Sequence, residues 1–352
     1  MNPVTIAGRP IGDAHPCFVV AEAGTNHEGD LDNALEMIRR AADAGADAVK
    51  FQSFLADELV PRRHPEYAAL KRTEMPKNWY PLIREAGEAH GIIVFSTASN
   101  ETTLAWMEAL DFPCYKIASG NLTHLPLIRR AAQIGKPLIL STGFATGDEI
   151  MEAETEAANA GADGVILLHC VGNYPAMPDE LNLSYMDALR WQFEGPVGYS
   201  DHTLHSLAAK AAVAMGAHVI ERHVTLTPNA TDGDHPISSS FRYLKRLIGD
   251  IREVERMLGQ DEKIIGERER ANGLRARRLL HTARDIPAGK EIRPEDLLCL
   301  RPTGRLESLT GKVYGLPPAA MDWVVGRKAR RAIQEQAPVL WQDMEITLGW
   351  ED

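Results

Sequence analysis

Cysteine is scarce in this chain and nowhere paired. The four residues, Cys17, Cys114, Cys170 and Cys299, lie far apart, with no C-x-x-C among them. That pattern excludes a disulfide framework and a zinc knuckle, and it leads us to expect reduced thiols in the cytoplasm. Long apolar runs are also missing: none approaches the roughly 18 residues that span a bilayer. The opening MNPVTIAGRPIGDAHP has no basic segment followed by an apolar core, so neither a membrane partner nor a secretory signal is expected. A surplus of positive charge is absent as well. The formal net charge is −11, which argues against a nucleic-acid partner, and the Arg-rich RERANGLRARR (268–278) reads as a solvated helix face or linker. Finally, AEAGTNHEGD after the first strand candidate is not G-x-G-x-x-G, which argues against a doubly wound dinucleotide-binding sheet. There is no low-complexity tract and no solenoid repeat.

What is present is a regular alternation. Short apolar runs occur at FVVAEAG (18–24), DAVKFQSF (47–54), IIVFST (92–97), CYKIAS (114–119), PLILST (137–142), GVILLHC (164–170), PVGYS (196–200) and HVIERHVT (218–225). Each precedes a stretch with helical spacing, such as LDNALEMIRRAADAG (31–45) with its terminal glycine suited to a C-cap. Eight strand–helix units with parallel pairing predict an α/β fold, a (β/α)8 TIM barrel. The preceding VTIAGRPIGD predicts a hairpin plugging the barrel bottom. After about Gly259 the pattern changes. We place the barrel domain at 1–260, a charged linker at 261–278, and a small, mostly β domain at 279–352, where Pro-Ala-Gly (287–289) marks a turn.

In a TIM barrel the chemistry sits at the carboxyl ends of the strands. Strand side chains alternate, so in DAVKFQS the apolar Val49 and Phe51 should face the helices, which turns Lys50 and Gln52 into the barrel. The same parity turns Lys116 inward. Two lysines in one barrel mouth are costly unless an anion meets them. With Gln52, Ser96, Thr97 and Ser119 nearby, they predict a phosphate or carboxylate site, although a structural pair of Lys50 with Glu22 would also satisfy one of them. YSDHT (199–203) and IERHVT (220–225) end neighbouring strands, and His202 and His223 there form a candidate divalent-metal site. His27, His169 and His235 are further candidates that periodicity does not rank.

These residues recur in a family order. AEAGTNHEGDLDNALEMIRRAADAGADAVKFQSF, FSTASN, YKIASGN, PLILSTG, LLHCVGNYPA, GYSDHT, IERHVT and GDHPIS resemble the sialic acid synthases, which make N-acetylneuraminate, legionaminate or pseudaminate. The tail from Leu279 to Glu345, with ARDIPAGKEI and LRPTG, resembles that family's antifreeze-like (SAF) domain. The resemblance implies a cytoplasmic transferase of carbohydrate and polysaccharide biosynthesis. It would condense phosphoenolpyruvate, an N-acylated hexosamine aldehyde such as N-acetylmannosamine, and water, giving a nine-carbon 2-keto sugar acid and phosphate.

It also implies roles. Lys50, Lys116, Ser119, Ser200 and Thr97 would hold phosphoenolpyruvate, with Glu22 near the reacting centre. Gln52, Tyr174 and Asp234 would contact the sugar. His202 and His223 would ligate a divalent metal, manganese foremost, with magnesium or cobalt as alternatives. Arg301 would reach the barrel of a partner subunit in a domain-swapped homodimer. Three departures concern the acceptor: Asn121 replaces an acidic residue of many relatives, Gly172 replaces a larger polar one, and ADELVPRRHPEYAALKR is short. Two other readings stay open. One is a Schiff-base aldolase with Lys50 or Lys116 as the amine; the other is a catalytically inactive sugar-binding homologue.

Overall fold

A computed structural model of the chain describes residues 3–302 and 315–345. It forms two compact units, 1–259 and 260–352. The first is a closed barrel of eight parallel strands: β3 (Phe18–Gly24), β4 (Ala48–Ser53), β5 (Ile93–Ala98), β6 (Tyr115–Ile117), β7 (Leu138–Ser141), β8 (Val165–Cys170), β9 (Val197–Asp201) and β10 (Val219–Thr225). Each strand pairs with the next, and β10 pairs with both β9 and β3, which removes every free edge. All eight expected strands are present.

The outward residues of the strands pack against eight helices. These are α1 (Leu31–Ala44), α2 (Trp79–His90), α3 (Glu101–Glu108), α4 (Leu125–Ala132), α5 (Gly147–Ala160), α6 (Tyr185–Gln192), α7 (Leu207–Ala214) and α8 (Phe241–Leu258). The sequence signals act locally here. The Asp30 side chain accepts the Asn33 N–H at the start of α1, and Gly45, at φ 87°, returns its N–H to the carbonyls of Ala41 and Ala42. Val49, Phe51, Tyr115 and Ile117 are buried in the barrel unit's core, which leaves Lys50 and Lys116 on the inner face.

The hairpin of β1 (Val4–Ile6) and β2 (Arg9–Ile11) lies against the amino-terminal end of the barrel. Ile6 and Ile11 are fully buried. Arg9 Nη1 meets Asp47 Oδ1 at 2.6 Å just before β4. Val4 leaves no room for a side chain at Gly164, which precedes β8: an added Cβ would fall 2.7 Å from Val4 Cγ2.

In the second unit, the segment expected as a charged linker, with RERANGLRARR read as a solvated helix face or linker, carries a helix, α9 (Glu267–Ala276). It buries none of its residues, so apolar periodicity could not reveal it. Its support comes from helix-favouring Arg, Glu and Ala, with Glu267 and Glu269 in the first turn and Arg275 in the last. Beyond it, β11 (Leu279–Thr282) and β12 (Leu297–Leu300) pair antiparallel. A separate small core of Leu280, Ile286, Ile292, Leu316, Val324 and Val339 lies beneath. Among the described residues no helix is long and apolar enough to cross a membrane.

Candidate active site

Parallel register brings the polar residues of the inner face into rows. Glu22 stands opposite Lys50 on β4 and opposite His223 on β10. Ser200 stands opposite Cys170 on one side and Glu221 on the other. Together with Gln52, Lys116, Ser119, Ser141, Tyr174 and His202, these residues line a cavity of about 120 Å³ at the carboxyl end of the strands. Larger grooves of about 470 and 440 Å³ open at the opposite end, beside the hairpin. The first of them gathers Glu154, Asp163 and Glu194 without a lysine or arginine.

Both lysines are buried, Lys50 at 3% and Lys116 at 1% exposure. Lys50 Nζ lies 3.0 Å from Glu22 Oε2 and 3.4 Å from Glu221 Oε1. The Glu22 contact is an ion pair without hydrogen-bond alignment, so Oε2 counts as an unbonded buried oxygen. Lys116 Nζ donates to Ser141 Oγ at 2.6 Å and faces Glu221 Oε1 at 3.6 Å. Ser200 Oγ donates to the same Glu221 oxygen at 3.1 Å, and Gln52 Nε2 donates to Glu22 Oε1 at 3.1 Å. Glu221 therefore bridges the lysines, and its second oxygen has no partner. Residue parity on β10 puts Glu221 on the same face as His223 (i, i+2), so the alternation in IERHVT carries the signal for it.

Burial opposes every charge here, and the neighbours decide the outcome. For Glu22 burial wins over Lys50 and raises the carboxyl to about 7. For Glu221 burial loses to Lys116 and Lys50, which hold it below the ordinary carboxylate value. Burial lowers Lys116 despite Glu221, whereas for Lys50 the pull of Glu22 and Glu221 outweighs burial.

The imidazoles of His202 and His223 converge, with ring centroids 5.3 Å apart. His202 Nδ1 lies 2.7 Å from the Val171 carbonyl and 3.8 Å from Cys170 Sγ. Donation to the carbonyl fixes the tautomer and leaves Nε2 its lone pair. His223 is buried, with an unbonded Nδ1 that lies 3.6 Å from Asp234 Oδ2. Burial, then the charges of His202 and Lys50, press its pKa well below the usual value and keep it neutral. For His202 burial loses to the hydrogen bond and charge of Cys170, which raise its pKa; a divalent metal would displace that proton and take both rings, one of them with an orphaned nitrogen, as donors. Among the described residues no third His, Cys, Asp or Glu completes a ligand set, so the remaining ligands would come from water or substrate. The loop carrying His202 is anchored by a buried pair, Arg222 Nη1 to Asp201 Oδ2 at 2.8 Å, and by Thr203 N–H donating to Asp201 Oδ1.

The other expected residues divide. Asp234, Glu22 and Gln52 meet around Gly24, where a Cβ would lie 3.3, 3.3 and 3.4 Å from their polar atoms; Gly24 also has φ +54°. The Tyr174 ring stacks on His202 at 4.1 Å. Thr97 is in register with Gln52 and Lys116, yet its hydroxyl accepts the Ser53 N–H and it does not line the cavity. Ser96 is likewise turned away, bonded to Ser53 Oγ. His27, His169 and His235 do not line the cavity. His27 packs on Phe51 and Trp79, His169 Nε2 bonds the Leu181 carbonyl, and His235 Nδ1 bonds Thr225. Asn121 also lies outside the lining, although Ala118, Ser119 and Gly120 belong to it. Arg301 is an exposed residue of the second unit, and Thr303 and Gly304 of its LRPTG turn lie outside the described residues.

Comparison with known proteins settles the family. The model of the NeuB family matches residues 37–263, and that of the SAF domain matches 277–345. The chain belongs to the NeuB family. The N,N'-diacetyllegionaminic acid synthase of Legionella pneumophila is 35% identical over 355 residues, covering 96% of this chain and 97% of that one. Human N-acetylneuraminate-9-phosphate synthase is 30% identical, with 95% and 94% covered. The crystal structure of N-acetylneuraminic acid synthetase from Leptospira borgpetersenii superposes with a TM-score of 0.74 at 33% identity, over 77% of this chain and 95% of that one. This NeuB-family chain is a sialic acid synthase-type enzyme, a TIM barrel joined to a SAF domain.

Proposed function

We propose that this enzyme condenses phosphoenolpyruvate with the open-chain aldehyde of an N-acylated hexosamine and with water, giving a nine-carbon 2-keto sugar acid and phosphate. The observation that carries the reading is the pair of buried lysines sharing Glu221 beneath two converging imidazoles. C3 of phosphoenolpyruvate bonds to the aldehyde carbon, whose oxygen takes up a proton. Water adds at C2, and phosphate leaves as its C–O bond breaks. Lys50, Lys116, Ser119 and Ser200 hold the anion, supplying position and charge at oxygens already present in the ground state. Gln52, Tyr174 and Asp234 hold the sugar, and Glu22 lies between the two groups. A manganese, magnesium or cobalt ion held by His202 and His223 would polarise the aldehyde oxygen. A phosphate-release assay across N-acetylmannosamine, its 6-phosphate and a diacetamido trideoxyhexose tests the reaction. Release with none of them, alongside measurable sugar binding, would instead support the inactive binding homologue.

Glu22 gives the site a pH dependence. Its carboxyl stays protonated up to about 7, and the incoming anion favours that neutral form. Above that pH, binding phosphoenolpyruvate costs a proton uptake. The Michaelis constant for phosphoenolpyruvate should therefore rise with pH above about 7, by up to ~10-fold per pH unit for one coupled proton. Glu22→Gln should flatten this rise. An unchanged slope in that variant would remove Glu22 as the group responsible.

One observation favours the Schiff-base aldolase: burial lowers Lys116, which raises the share of its neutral, nucleophilic amine. Borohydride trapping with pyruvate would support that reading, and survival of activity in chelator would add to it.

The proposed assembly is a homodimer in which each SAF domain brings Arg301 to the partner's barrel. Mixed dimers of Arg301→Ala and Lys116→Met then contain one intact site, so activity should reappear on subunit exchange. If verified heterodimers recover nothing, the crossover is wrong.

A further inference from the structure

The mouth of the cavity holds a residue that the bond-forming chemistry does not need. Phe144 lies on the loop between β7 and α5, with φ +66° and 77% exposure. Its ring tip occupies the space above Gly172: a Cβ there would fall 2.0 Å from Cζ and 2.3 and 2.6 Å from Cε1 and Cε2. Glycine at 172 and the phenyl are thus one arrangement, since any side chain at 172 would displace the ring. The backbone next to it is tied to the anion side of the site, where Gly143 N–H donates to Ser119 Oγ at 3.1 Å. Phe144 and Gly172 both line the cavity with Lys116 and His202.

A left-handed backbone at a non-glycine residue is strained, and the exposed ring leaves apolar surface in water. The cavity, its Phe144 rim included, is small, about 120 Å³, on the scale of a three-carbon anion, so an acceptor must extend outward past that rim. There it meets the half-exposed Tyr174 and the Phe144 face. The two lysines of the lining already face Glu22 and Glu221. A phosphate placed against the phenyl loses water and meets no further lysine or arginine of the cavity lining, whereas a methyl group gains apolar contact.

We propose that Phe144, given room by Gly172, is a specificity-determining wall. It favours an N-acyl amino sugar bearing a further methyl, on a deoxy carbon or a second acyl group, where other acceptors carry hydroxyl or phosphate. The inference rests on the synthase reading. Its test uses the full-length enzyme with the same three acceptors, and saturation-transfer NMR from aromatic protons to sugar methyls. The wild type should show its highest kcat/KM with the diacetamido trideoxyhexose. Phe144→Ala should lower that value by about 10-fold or more, with little change for N-acetylmannosamine or for the phosphoenolpyruvate Michaelis constant. Gly172→Ser, which displaces the ring, should reproduce the loss. Saturation of the extra methyl should vanish in Phe144→Ala. An equal loss for all acceptors, a wild-type preference for the 6-phosphate, or subunit dissociation in Phe144→Ala would overturn the proposal. If the wild type releases phosphate with no acceptor, the synthase reading fails. The NMR contact then still decides the role of Phe144, its loss in the variant supporting it and its persistence refuting it.

Discussion

Lys116→Met should lower kcat/KM for phosphoenolpyruvate by roughly 10²- to 10³-fold while barely moving the Michaelis constant for the sugar. Lys116 is 1% exposed, and its ammonium is held between Ser141 Oγ and Glu221. Methionine keeps the volume but removes the charge, so the anion meets Glu221 with only Lys50 to balance it. The lost interaction is with a charge present in the substrate itself. The effect should therefore appear in phosphoenolpyruvate binding as well as in turnover. Thermal melts should show a folded variant, which separates lost binding from lost structure. An equal rise in both Michaelis constants would contradict the division of the cavity into an anion floor and a sugar mouth.

Removing the metal, or either imidazole, should be comparably severe. Chelation, His202→Ala and His223→Ala should each remove most activity, by about 10²-fold or more, given the several kcal/mol that a Lewis acid supplies. Calorimetric titration with manganese should show binding to the wild type and its loss in both variants. The structural basis is the neutral, buried His223 with an orphaned Nδ1, facing a His202 ring fixed by the Val171 carbonyl. Normal turnover by the chelated enzyme, or by either variant, would refute the metal assignment. Each variant's melting temperature is the control. The anchor of the His202 loop is the separate Arg222–Asp201 pair, which these substitutions leave intact.

Much of the fold was legible because its signals are local. Side-chain alternation has a period of two and needs no knowledge of partners. DAVKFQS and CYKIAS therefore announce inward lysines, and the two strands ending in His202 and His223 announce a pair of imidazoles. The α9 helix was legible only as a choice between a solvated helix face and a linker, because a helix with no apolar face leaves no periodic trace.

Sequence by itself determined the strand–helix alternation, the inner faces of the strands, and the ordered motifs that carry the family. Tertiary structure decided which of those inward groups touch. Closure of the barrel pairs β10 with β3, elements some 200 residues apart in number, and that register sets Glu221 between two lysines and His223 opposite Glu22. It also turned His169 away from the cavity and Thr97 toward Ser53, and it laid the Phe144 ring over Gly172. Periodicity specifies the face of a strand. The distance between two side chains depends on long-range register and loop path, which exist only once the sheet has closed.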